Sequence, residues 1–152
     1  MQPVDLTKDV PRSPYDMLGG IVFLPRAIDK ARADVAGTLG EYRSREGRTK
    51  WLLDFLEIGV DEFHDALATR PTDEAMWEWI AAEMRPRTAE EIAEYNEWMW
   101  SRTPDNDVWT WEAFRGFMEE IGQGHRQDIV RHFDRLDLDE GREVPEGGRR
   151  RK

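Results

Sequence analysis

The chain has 152 residues, 36% of them charged and none of them cysteine, and it carries a formal charge of -10. One domain of ordinary size fits that length, and the missing cysteine excludes disulfides, thiolate metal sites and a cysteine nucleophile. An acidic body repels a phosphate backbone, which argues against nucleic-acid binding, and the longest apolar run, Ile21 to Leu24, stops at Pro25, far short of the ~20 residues of a membrane span.

Met1 to Lys8 includes Asp5 and has no apolar run, so no secretory signal is expected and the chain reads as cytoplasmic. Residues 1–12 contain Pro3 and Pro11 and no helical period, which gives an extended arm packed on the body. Ser13-Pro14 with Asp16 predicts a short helix closed by Gly19-Gly20. A longer helix is expected from about Pro25 to Ala36, where Leu24, Ile28, Ala31 and Val35 form one apolar stripe and Gly37 ends it. Arg26 with Asp29, and Lys30 with Asp34, have ion-pair spacing on what reads as its wet face. Leu39 to Arg45 has few helix signals and is the place for one small extended segment or hairpin.

Trp51, Leu52, Phe55, Leu56 and Ile58 form a helical face ending at Gly59, and Asp61 leads the next turn, with Phe63, Ala66 and Leu67. Thr72 opens a helix containing Met76, Trp79 and Ile80. Thr88 and Glu91 form a capping box before Ile92, Tyr95, Trp98 and Met99. After a turn at Thr103 to Asn106, Trp111, Phe114, Phe117, Met118 and Ile121 make another stripe stopped by Gly122 and Gly124. Ile129, Val130 and Phe133 predict a last helix. From Arg142 the composition turns to Gly, Pro and charge, so 142–152 reads as a disordered basic tail of net +3, leaving -13 on the remainder. The expected fold is all-α: a single domain, 13–141, of six or seven short helices.

Several segments resemble the bacterial family of the domain of unknown function DUF5069. They are Asp5-Leu6-Thr7-Lys8, Pro11-Arg12-Ser13-Pro14, Leu18-Gly19-Gly20, the run from Leu24-Pro25-Arg26 through Ile28-Asp29-Lys30-Ala31-Arg32-Ala33, Trp98-Met99, and Asp128 with Phe133-Asp134 and Leu136 to Arg142. The resemblance spans about Asp5 to Arg142 and implies a bacterial source and a compact single domain, but no activity, cofactor or catalytic residue. The chain departs from the family pattern at His132, where Trp is expected, and at Arg135, where Leu is expected.

Four groupings bear on chemistry. Arg12, Arg26, Asp29, Lys30 and Arg32 put cations around one carboxylate, a candidate site for an anionic ligand; the plainer reading is that Asp29 ties the arm to the body. His125, Asp128 and His132 would share one side of an unbroken helix and are weak candidates for a divalent metal. Asp134, Asp137, Asp139 and Glu140 fail the calcium-loop pattern and read as a solvated acidic terminus. Seven tryptophans include the pairs Trp77/Trp79, Trp98/Trp100 and Trp109/Trp111. Positions i and i+2 of a helix lie about 200° apart, so one of each pair faces outward. Trp77, Trp100 and Trp109 are the candidates for a surface covered by a second copy or a protein partner. No cofactor is implied and no reaction is assigned. The functional expectation is a small interaction or self-association module, with an anionic-ligand binder or enzyme built on Arg26, Lys30 and Arg32 as the alternative.

Overall fold

A computed structural model describes residues 4–149. Among them are seven α-helices and one two-stranded antiparallel hairpin. The chain divides into two compact units at Ala93/Glu94. No helix among the described residues is long and apolar enough to cross a membrane.

In the first unit the expected helix after Ser13 is absent. Ser13 instead closes a turn, with the Asp16 amide on its carbonyl and the Tyr15 amide on its Oγ. The chain then forms the hairpin, β1 (Met17–Leu18) against β2 (Ile21–Val22). Both turn residues, Gly19 and Gly20, have positive φ (59° and 78°), the conformation a two-residue hairpin turn requires and only glycine adopts without strain. The hairpin expected at Leu39 to Arg45 is therefore found earlier, where the glycine pair is.

Helix α1 (Leu24–Ala36) has Pro25 in its first turn and Gly37 as a left-handed cap whose amide reaches the Ala33 and Asp34 carbonyls. Every residue from Leu24 to Ala33 is buried, the charged ones included, while Val35 of the predicted stripe is exposed. The expected wet face is thus an interior one. Helix α1 touches both β1 and α3. It is followed by α2 (Arg48–Leu56), α3 (Val60–Ala66) with a 3-10 turn at Leu67–Thr69, and α4 (Asp73–Glu83), whose first turn is capped by Thr72 Oγ1 accepting from Ala75. Leu52, Leu53, Leu56, Phe63, Met76 and Ile80 are the large buried side chains of these helices.

Helix α5 (Ala89–Trp100) begins with the predicted capping box, the Thr88 amide donating to Glu91 and the Glu91 amide to Thr88 Oγ1. In the second unit Thr103 and Asn106 form a reciprocal cap around a 3-10 turn, Pro104–Asn106. Thr110 caps α6 (Trp111–Glu120), and the last helix is α7 (His132–Asp139). Phe114, Met118, Ile129 and Val144 form a buried cluster flanked by Trp109, Trp111, Ile121 and Leu138. Ile129 and Val130 precede α7 rather than lying in it.

The expected disorder after Arg142 is not found over 142–149. The Arg142 amide bonds the Asp137 carbonyl, Val144 is buried, the Gly147 amide donates to Asp128 and the Arg149 amide to Asp134. Composition missed this because Arg142 and Arg149 meet Asp137 of α7 and backbone amides of the segment meet Asp128 and Asp134. Residues 150–152 of the predicted tail lie outside the described residues.

Candidate functional site

In the first unit Arg12, one of the cations expected around an anionic ligand, is engaged by two carboxylates of the chain itself. Its Nε and Nη2 donate to the two Asp29 oxygens (3.1 and 3.0 Å), and Nη1 and Nη2 donate to Asp73 (2.6 and 3.1 Å). The Arg12 amide adds a bond to Asp29. Burial pushes the Arg12 guanidinium down, but the hydrogen bonds to Asp73 and Asp29 outweigh it and the net displacement is upward. Asp73 is held below the ordinary carboxylate value, chiefly by the Arg12 hydrogen bond, with burial opposing.

The neighbouring cations are turned inward. Arg26 Nη1 donates to the Arg12 carbonyl (3.1 Å) and its guanidinium lies over Tyr42; Lys30 lies over Phe23; Arg32 donates to the Arg70 carbonyl (2.8 Å), and burial lowers its pKa. Asp29 thus bridges to Arg12 rather than pairing with Arg26, and Asp34 faces Ser44, Arg45 and His64 rather than Lys30. Trp77 covers the hairpin, where a Cβ on Gly19 would lie only 2.2 Å from Trp77 Cη2 and Cζ2. It is a half-buried packing residue.

The first unit also brings together residues that sequence reasoning left apart. Ser44 Oγ lies 2.5 Å from Asp34 Oδ2 and 3.1 Å from His64 Nε2, and His64 Nδ1 lies 2.8 Å from the Val60 carbonyl. A carbonyl only accepts, so Nδ1 carries a proton, and the single proton of the Ser44 hydroxyl goes to the Asp34 carboxylate. The pairing joins α1, the segment after it and α3, and no spacing in the chain signals it. Ser44 and His64 are both buried, so the arrangement ties those segments together and leaves the hydroxyl out of a substrate's reach.

In the second unit the tryptophans are sorted by tertiary partners. Trp100 Nε1 donates to Glu97, and the ring is half-buried. Its neighbour Trp98 is the more exposed, at 45%, with the Arg102 guanidinium 4.2 Å from its ring centre. Helix rotation puts Trp98 outward, reversing the expected choice within that pair. Trp109 is half-buried. It meets Phe117 edge to face at 5.7 Å and His132 at 5.6 Å, and the buried Arg135 guanidinium lies 4.1 Å from its ring centre and 4.9 Å from that of Phe117. Arg135 also donates to His132 Nδ1 (3.4 and 3.3 Å). A guanidinium only donates, so Nδ1 is the bare nitrogen and the imidazole proton sits on Nε2, 3.7 Å from Asp107. His132 and Arg135 therefore form one buried polar pair beneath Trp109.

Beside Trp109 a groove of about 690 Å³ runs along α6, lined by Val108, Trp109, Ala113, Gly116 and Phe117, with Glu112 and Glu120 in its wall. Val108 is 90% exposed.

The proposed metal trio does not assemble. Helix α7 starts at His132, so His125 and Asp128 lie in the loop before it and the assumed helical register is absent. His125 is exposed and His132 fully buried. Asp128 takes two hydrogen bonds from Arg126 and one from the Gly147 amide; the Arg126 bonds above all hold its carboxyl well below the ordinary range, with burial opposing them. Among the described residues no group of three or more His, Asp or Glu is arranged to hold a metal ion. Asp134 and Asp137, read as a solvated terminus, are buried and bonded to Arg149, with Arg142 on Asp137 as well.

A search of curated proteins returns no match. The family model described as a domain of unknown function, DUF5069, matches residues 8–142, most of the chain, and the chain belongs to that family.

Proposed function

We propose that this chain is a protein-interaction module that works through the α6 groove of its second unit. The observation that carries this reading is the exposed apolar rim, Val108 at 90%, beside the half-buried rings of Trp109 and Phe117. An exposed apolar surface of this kind beside a concave aromatic wall favours a covering partner. Arg135 and His132 lie behind Trp109 and hold its ring in one orientation, and a rigid aromatic anchor gives more binding energy than a mobile one.

The alternative site on Arg26, Lys30 and Arg32 has less support. Arg12 commits its donors to Asp29 and Asp73, and Arg26 and Arg32 donate to backbone carbonyls. A ligand carboxylate or phosphate would have to displace those bonds.

The test is affinity capture from a lysate of the source cells, with wild-type and Val108→Asp baits, followed by binding measurements between the purified partner and each bait. A partner held by the wild type and released by Val108→Asp, with unchanged circular dichroism, is expected. Equal retention of every captured protein by both baits overturns the reading.

A further inference from the structure

The chemistry of the groove narrows its partner. Glu112, Gly116 and Glu120 follow one another at four-residue steps on α6, so two carboxylates about 12 Å apart flank a position with no side chain. Among the described residues neither glutamate has an ion-pair or hydrogen-bond partner, and no cation lines the groove. Gly116 is the odd residue. Its φ is not positive, a Cβ there would meet nothing within 4 Å, and it sits inside a helix, where glycine is unfavourable relative to alanine. Neither backbone geometry nor internal packing asks for glycine here. A side chain at that point would fill the groove between the two acids, against Phe117.

We infer that the groove receives a cationic amphipathic helix of another protein, with an apolar residue seated over Gly116 and a Lys or Arg one turn to either side reaching Glu112 and Glu120. This rests on the interaction reading above and adds the partner's chemistry. The one-turn spacing on the partner matches the spacing on α6, and Val108, Trp109 and Phe117 supply the apolar contact. A second copy of this chain fits less well. A two-fold contact brings the same patch of each copy together, so glutamates would face glutamates on molecules that each carry -10.

The test uses the full isotope-labelled chain and three helical, alanine-rich peptides of about sixteen residues. The first has a central Leu with Lys four positions to either side; the second has Glu for both Lys; the third has Ala for Leu. The Lys/Leu peptide should shift the Trp109 indole and Gly116 amide resonances saturably, about tenfold more tightly than the other two, and more weakly as salt rises. In Glu112→Lys/Glu120→Lys the preference should pass to the Glu peptide, and Gly116→Leu should abolish binding with the spectrum otherwise intact. Equal binding of the Lys and Glu peptides sinks the cationic partner but leaves the interaction reading standing. So does an absence of shifts with any peptide when Val108→Asp still releases a captured partner. Concentration-dependent shifts at Gly116 without peptide would assign the groove to a second copy and overturn the inference.

Discussion

The guanidinium of Arg135 lies against the ring of Trp109, 4.1 Å from its centre, and the same group donates to His132 Nδ1. Arg135 is buried, yet neither its charge nor its stem is idle: the charge faces two aromatic rings and the donors meet an imidazole. Arg135→Leu, the residue the family resemblance suggests, removes both contacts. It should lower stability by about 1–2 kcal/mol in urea denaturation, with a red shift of tryptophan emission as Trp109 loosens. Unchanged stability and emission would show the stacking to be incidental.

Arg12 is the residue that ties the arm to α1 and α4. Arg12→Ala leaves Asp29, nearly buried, without its guanidinium, and should destabilise the chain by about 2 kcal/mol. That is less than for a fully buried pair, because Arg12 itself is 35% exposed. Arg12→Lys should recover only a part, since one ammonium cannot serve two carboxylates with two donors each. Hydrogen exchange at Leu6, whose amide bonds the Thr38 carbonyl, should speed up in both variants.

The lowered carboxyls of Asp73 and Asp128 define an acid limit. A group whose folded value lies below its unfolded one contributes fully above the unfolded value, near 3.8 here, and loses that contribution as pH falls through the folded value. At pH 7 Asp73→Asn should therefore be less stable than the wild type, and the two should converge as pH falls below about 4. A stability gap that is constant from pH 7 to pH 2 would rule this out.

The hairpin turn offers an internal control. At Gly20, Ala meets only the cost of a positive φ, about 1 kcal/mol, because nothing lies within 4 Å of its Cβ. At Gly19 the added methyl also collides with Trp77, so Gly19→Ala should cost about 2–3 kcal/mol. Equal costs at the two sites, by chemical denaturation, would mean that Trp77 does not pack on the hairpin as described.

Gly116→Ala should have the opposite sign. With no strain and open space at the Cβ, it should stabilise α6 by about 1 kcal/mol. A loss of stability would reveal a packing demand that the described contacts do not contain.

Legibility in the sequence followed the range of the forces involved. The sequence predicts a helix from about Pro25 to Ala36 and α1 runs from Leu24 to Ala36, because Pro at its start and Gly at its end act on adjacent backbone groups. The Thr88/Glu91 box is equally local: its spacing predicts the two reciprocal bonds that the structure contains. The candidate sites were not legible in the same way. Arg12 finds Asp73 across 61 positions, and Ser44 finds His64 across 20. The partner of Trp77 is a glycine with no side chain to suggest it. For the groove, a faint signal did exist: a glycine inside the strongly periodic stripe from Trp111 to Ile121.

Residue order alone was enough for the helical class and for most helix ends, since capping and periodicity depend on neighbours within four positions. It was enough as well for the family, whose signature lies in contiguous residues. Which faces turn inward was settled elsewhere. Arg26, Asp29 and Lys30 read as a solvated face and are buried, and the acids of α7 read as solvated and are neutralised by a tail that composition marks as disordered. Burial of a charge depends on whether an opposite charge or a carbonyl arrives beside it, and that partner is delivered by the path of the chain through space, not by its order along the chain.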